Sequence, residues 1–191
     1  PDFLWRIQRD PANHPPNENY KISDVEFASR LSFFLWSGAP DDELLSLAEQ
    51  ERLRDPQILK NQVARMMNDE KADAFIKNFV GQWLYLRNLD NVYPLPAAFP
   101  EFDDNLRLSF KQETEMFFEE QIRENHSLLE MFTANYSFLN QRLADHYGIQ
   151  GVYGSHFRKV ELDGYKRGGL LGHGSLMTVT SYPNRTSVVL R

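Results

Sequence analysis

Residues 167–187, RGGLLGHGSLMTVTSYPNRTS, hold four glycines, one histidine, arginines near both ends and a run of hydroxyl side chains. Such residues can do chemistry. Glycine-rich backbone wraps phosphates, histidine ligates metals or moves protons, and serine acts as a nucleophile. Each role has a spacing rule. A phosphate loop ends in Gly-Lys-Ser/Thr, but Gly172-His173-Gly174-Ser175 lacks the lysine and follows no buried strand. The dinucleotide fingerprint fails in glycine order and lacks a βαβ frame. No Gly-x-Ser-x-Gly elbow is present to expose a nucleophile. The stretch therefore reads as a connector, its glycines allowing tight turns and its leucines lying on a helical body.

The histidines are His14, His126, His146, His156 and His173. None belongs to a His-Glu-x-x-His or Glu-x-x-His pair, so no metal site is expected. His173, flanked by glycines, is the most accessible ligand candidate; His156 and Arg185 are weaker ones. His146 falls near a predicted helix C-terminus, where the dipole favours an imidazolium. Asp145 and His146 are adjacent, so on a helix their side chains diverge and cannot orient one another. No catalytic residue can be named.

Two charges sit on predicted apolar faces. Arg30 lies one turn from Phe27 and Phe34, and Glu113 lies between Phe110 and Phe117. A buried charge is tolerated when paired, so Arg30 and Glu113 are candidates for a structural ion pair, with each other or with other partners.

The elements that must position these residues are helices. Ser23 and Glu26 form a capping box, followed by Phe27, Leu31, Phe34 and Leu35 at helical spacing and by Gly38 and Pro40 as a stop. A second helix is expected in DDELLSLAEQ and a third from Asp55-Pro56 to about Met67. KADAFIKNFVGQWLYLRNL predicts a fourth, with Gly81 at a close helix contact. Pro94, Pro96 and Pro100 stiffen a loop before the longest helix, expected over 103–124 with Leu106, Phe110, Phe117 and Phe118 inward. A short helix near 128–132 and another in SFLNQRLADHYG, closed by Gly148, complete the body. FRKVEL-DG-YKRG then predicts a hairpin turning at Asp163-Gly164.

The chain has 191 residues, 41% hydrophobic and 25% charged, an ordinary globular composition with a Phe-rich core. No apolar run nears the ~20 residues of a membrane span. The absence of cysteine excludes disulfides, thiolate metal sites and haem attachment within these residues. Net charge is −6, with nine acids against three bases over 101–130 and six bases against two acids over 156–191. That tail is too weakly basic for a nucleic-acid partner.

Longer phrases carry a resemblance. SDVEFASRLSFFLWSGAPDDELLSLA, FVGQWLYLRNLD, FPEFDDNLRLSFKQETEMFFEEQIREN and ANYSFLNQRLADHYGI resemble a bacterial helical domain of unknown function. That domain occurs in large planctomycete-type, cytochrome c-associated multidomain proteins. RGGLLGHGSLMTVTSYPNRTSVVLR resembles the start of the domain that follows it, and PDFLWRIQRDP the end of a preceding one. His173 stands where that pattern has Gln, and Val188 where it has Pro. The resemblance implies a periplasmic or secreted parent protein, with any haem c elsewhere in that parent and no cofactor in this chain.

The expected fold is mostly α, an orthogonal multi-helix domain with a small C-terminal β-hairpin and an irregular tail. Residues 1–22 read as the end of a preceding domain or linker, 23–150 as the helical domain, and 151–191 as the hairpin and the truncated start of a following domain. The expected function is a non-catalytic scaffold or interaction domain of an electron-transfer-associated protein, with neighbouring domains or subunits as partners. The alternative is an enzyme domain, an oxidoreductase for instance, whose site neighbouring domains or a cytochrome complete.

Overall fold

A computed structural model describes residue 15, residues 19–182 and the backbone of residues 185 and 186. Most of the N-terminal linker, residues 183–184 and 187–191 of the tail and the side chain of Arg185 lie outside the described residues.

Local signals set the first three helices. In α1 (Asp24–Trp36), Ser23 Oγ accepts from Glu26 N at 3.2 Å, and the Glu26 carboxylate accepts from Ser23 N at 2.9 Å. This capping box satisfies two backbone donors that the first turn leaves free. α2 (Asp42–Glu49) is capped by Asp41, and α3 (Pro56–Asn68) by Asp55, with proline at the first helical position. They close on a core of Leu35, Trp36, Leu44, Leu53 and Met66, in which Trp36 Nε1 donates to Met66 O at 2.9 Å. The α1 face differs from its sequence pattern: Phe33 and Phe34 are exposed, while Ala28 and Ser32 are buried.

The predicted fourth helix is broken. Residues 70–91 run as a 3₁₀ turn (Glu70–Ala72), α4 (Asp73–Phe75), a π turn (Ile76–Val80), α5 (Gly81–Trp83) and a 3₁₀ helix (Leu86–Asn91). Tyr85, in the left-handed region at φ 59°, separates α5 from the last 3₁₀ helix. The wider π turn aligns Phe75, Phe79 and Trp83 as a ladder, with centroids 5.1 and 5.7 Å apart. Gly81 is not at a close contact, because a Cβ there would meet nothing nearer than Arg87 Cγ at 3.8 Å.

The central element is α6 (Asp104–Arg123), capped by Asp103 and buried along Leu106, Phe110, Glu113, Phe117 and Gln121. Their spacing of three and four residues gives one continuous inward stripe. Phe117 is fully buried, and burying such a ring contributes about 1.5–3 kcal/mol. α7 (Glu130–Thr133) follows, and then the chain extends as β1 (Tyr136–Leu139) where helix was expected. Asn140 caps α8 (Gln141–Tyr147), which closes on Gly148 at φ 72°.

β2 (Arg158–Glu161) does not fold back across Asp163-Gly164. It pairs antiparallel with β1, from Tyr136↔Glu161 to Leu139↔Arg158. Gly164 still turns, at φ 86°, but residues 165–169 form no strand to pair with β2. The chain continues through a 3₁₀ turn (Leu170–Gly172) and α9 (Gly174–Val179). The small C-terminal hairpin lies further on, where β3 (Ser181–Tyr182) pairs with β4 (Arg185–Thr186). The fold is thus mostly helical, with β1 and β2 joining the sequence on either side of residue 150. α9 packs on α6 and on the Leu86–Asn91 helix. Among the described residues, no helix is long and apolar enough to cross a membrane.

Candidate functional site

One turn of α6 organises the site. Glu113 and Thr114 are consecutive, buried and polar, so each needs partners from other elements. The Glu113 carboxylate accepts from Ser137 Oγ of β1 at 2.6 Å and from Tyr147 OH of α8 at 2.6 Å. Tyr147 OH in turn accepts from Gly174 N at 2.8 Å. Thr114 Oγ1 lies 3.0 Å from His173 Nδ1 and 2.6 Å from Ser175 Oγ. β1, α8 and α9 are thereby fastened to adjacent positions of one helix.

Close packing requires glycine at three points, one of them Gly168, where a Cβ would sit 2.7 Å from Ala134 O. A Cβ on Gly174 would overlap the Phe110 ring and sit 2.7 Å from Tyr147 OH. Gly169 has φ 60° and would bring a Cβ to 2.5 Å from Phe132 O. The glycines of 167–187 thus allow backbone to press against the α6–α8 body, not against a phosphate.

Above this network lies a pocket of about 650 Å³. Its walls come from the loop 92–102, from Phe110 of α6, from His146 and Tyr147 of α8, and from Arg167, Gly174, Met177, Thr178, Ser181 and Tyr182. Phe110 and Tyr147 stack with centroids 6.2 Å apart, and His146 meets Phe110 edge-on at 5.3 Å. The Arg167 guanidinium sits 3.5 Å from the Tyr147 ring centroid, and its Nη1 donates to Gly172 O. Arg107 holds the aromatic wall from Tyr93 and Phe102, 5.4 and 5.2 Å from their centroids. Glu101 stands at the mouth, its carboxylate 3.8 Å from His146 Nδ1 and 73% exposed.

Burial governs the titration of these groups. The Tyr147 hydroxyl is pushed well above the usual tyrosine range, first by burial and then by Glu113, with Arg167 opposing. His173, 2% exposed, is pushed below the usual histidine value by burial, which outweighs the pull of Glu113. Burial also lowers His146 against the opposing effect of Glu101, so the imidazolium expected from its helix position is disfavoured.

The sequence candidates scatter. Glu113 and His173 come together around α6, but His173 is buried where exposure was expected, and its Nε2 has no hydrogen-bond partner among the described residues. Arg30 is exposed on α1 and is not the partner of Glu113, which takes its bonds from hydroxyls. His156 is exposed beside Arg158, whose guanidinium nitrogen lies 3.3 Å from its Nδ1. Among the described residues, no group of three or more His, Asp or Glu side chains could hold a metal. Sequence reasoning missed Tyr147, Arg167 and the aromatic wall. The available signal was YPLPAAFPEF at 93–102, aromatics set among prolines in a loop.

This α6-centred body identifies the chain's relatives. Residues 22–149 match the family model described as a protein of unknown function, DUF1592. The chain belongs to that family. No curated protein and no solved structure matches it. The DUF1592 match takes in Glu101, Phe110, Glu113, His146 and Tyr147, whereas Arg167, His173 and Gly174 lie beyond its end. Residues following the family domain therefore complete the pocket.

Proposed function

We propose that this domain is a non-catalytic binding module of a larger extracytoplasmic protein assembly, and that the pocket beside α8 is where it binds. The observation that carries this reading is the pocket's construction. Its volume of about 650 Å³ falls within the usual range of ligand sites, and rings and a thioether dominate its walls. The buried acid of the network is shut off from it, while Glu101 and His146 line it beside the rings. Glu113 is 1% exposed and lies behind the Tyr147 hydroxyl. That hydroxyl already donates to Glu113 and accepts from Gly174 N, so the ring is what Tyr147 offers a ligand. Fixed aromatic faces and few polar groups suit recognition better than acid–base chemistry. The periplasmic or secreted, electron-transfer-associated setting rests on the resemblance of the longer phrases, and haem analysis of the parent protein tests it.

Heteronuclear NMR of this chain against a fragment library tests the binding reading. Shift changes should cluster on residues 93–102, 146–147 and 174–182. Filling the pocket with Met177→Trp should erase them while the spectrum stays dispersed. Changes scattered over the surface, or centred elsewhere, would refute it.

A further inference from the structure

Resting on that reading, we infer that the pocket recognises a carboxylate carried on a flat, apolar body, and that Arg167 is the residue that reads the carboxylate. Three observations combine. First, Arg167 lines the pocket yet makes no ion pair among the described residues. Its hydrogen bond is to Gly172 O through Nη1, which leaves Nε and Nη2 as adjacent donors of a planar fork. Among the described residues neither of those atoms has a hydrogen-bond partner, and neither is a buried unpaired atom. A guanidinium with that edge open matches a planar oxyanion in two parallel hydrogen bonds.

Second, the fork is held before any ligand arrives. Its flat face rests on the Tyr147 ring, 3.5 Å from the centroid, and Tyr147 is itself tied to Glu113 and Gly174. A pre-positioned arginine loses less side-chain freedom on binding. Third, the counter-charges are placed to permit an anion. Glu113 is screened behind the Tyr147 hydroxyl, while Glu101 is water-exposed at the mouth beside His146. The surface left for the ligand's body is aromatic: Phe99, Phe102 and Phe110. A carboxylate on an apolar body is found both on free aromatic acids and at a polypeptide C-terminus ending in an aromatic residue.

Calorimetric titration of the unsubstituted chain compares 3-phenylpropionate with 3-phenylpropionamide, which keeps the shape and loses the charge. In a second arm, acetyl-Ala-Ala-Phe with a free C-terminus is compared with its C-terminal amide. In whichever arm binds, the acid should bind at least about tenfold tighter than the amide, a difference that shrinks with added salt. Arg167→Gln should remove that preference and leave the amide within about twofold, and Arg167→Lys should restore only part of it. Preference confined to the first arm identifies a free acid as the ligand, and stronger binding in the second a chain terminus. Acid and amide binding alike, with shifts mapped to the pocket, would overturn the carboxylate proposal and leave the binding reading intact. No binding to the pocket by any of the four at about 1 mM would overturn both.

Discussion

Tyr147 donates its hydroxyl hydrogen to the buried carboxylate of Glu113 across 2.6 Å, and the same oxygen accepts from Gly174 N at 2.8 Å. One phenol thus joins α6, α8 and α9 at the floor of the pocket. Tyr147→Phe should leave a carboxylate short of a donor and a backbone N–H short of an acceptor. Its expected cost is about 1–3 kcal/mol in urea unfolding. An unchanged midpoint would mean that the carboxylate finds water in place of the phenol.

Gly174 and Gly81 should respond oppositely to the same substitution. Gly174→Ala drives a methyl into Phe110 and Tyr147 OH, an overpacking worth about 1–3 kcal/mol or more of lost stability. Gly81→Ala meets only Arg87 at 3.8 Å and should be neutral or stabilising by up to about 1 kcal/mol. Two thermal melts settle the matter, and equal destabilisation would refute the packing described.

His173 should make the fold acid-sensitive. Its folded value lies below its unfolded one of about 6.5, because burial disfavours the imidazolium. The unfolded chain therefore binds the proton better. The neutral histidine's contribution is fully present above about pH 6.5 and falls away as the pH drops through that value toward the lower folded one. His146 adds to the same trend for the same cause. His173→Gln should flatten the loss of stability between about pH 8 and about pH 5.5, leaving the His146 share. Parallel pH curves for the two chains would show that His173 is hydrated in solution.

Asp41 has two separable jobs. It caps α2, accepting from Leu44 N at 3.0 Å, and it takes two hydrogen bonds from the Arg65 guanidinium at 2.6 and 3.1 Å. The Arg65 hydrogen bond is the main reason its carboxyl sits below the usual range. A lowered folded value means stability present above the unfolded value near 3.8 and lost as pH falls below it. Asp41→Asn keeps the cap and should cost less than about 1 kcal/mol, since the pair is partly exposed. Asp41→Ala should cost about 1–2 kcal/mol. Equal costs in chemical unfolding would show that the cap contributes nothing.

Much of this molecule is written locally. The Ser23 capping box, the Asp55-Pro56 start, the Asp103 cap and the Gly148 stop each involve residues within four positions of one another. Their chemistry is complete before any tertiary contact forms. The inward stripe of α6 is equally legible, because Leu106, Phe110, Phe117 and Phe118 repeat with the helix. The DUF1592 body could therefore be outlined from its sequence.

What only the tertiary structure decided has a common cause: its partners are distant in the chain. Asp163-Gly164 does make a turn, but β2 finds its edge at β1, some twenty residues earlier, because Tyr136 to Leu139 are buried as a strand. The π turn that aligns Phe75, Phe79 and Trp83 leaves a periodicity no helix template distinguishes. His173 looked accessible between two glycines, yet those glycines let its backbone reach α6 and bury it. Glu113 on an apolar face was readable as a buried charge, while its partners, two hydroxyls from β1 and α8, were not. The pocket lies furthest from local reading. Its aromatic loop, its tyrosine and its arginine come from three stretches of chain, and packing around α6 alone makes them one site.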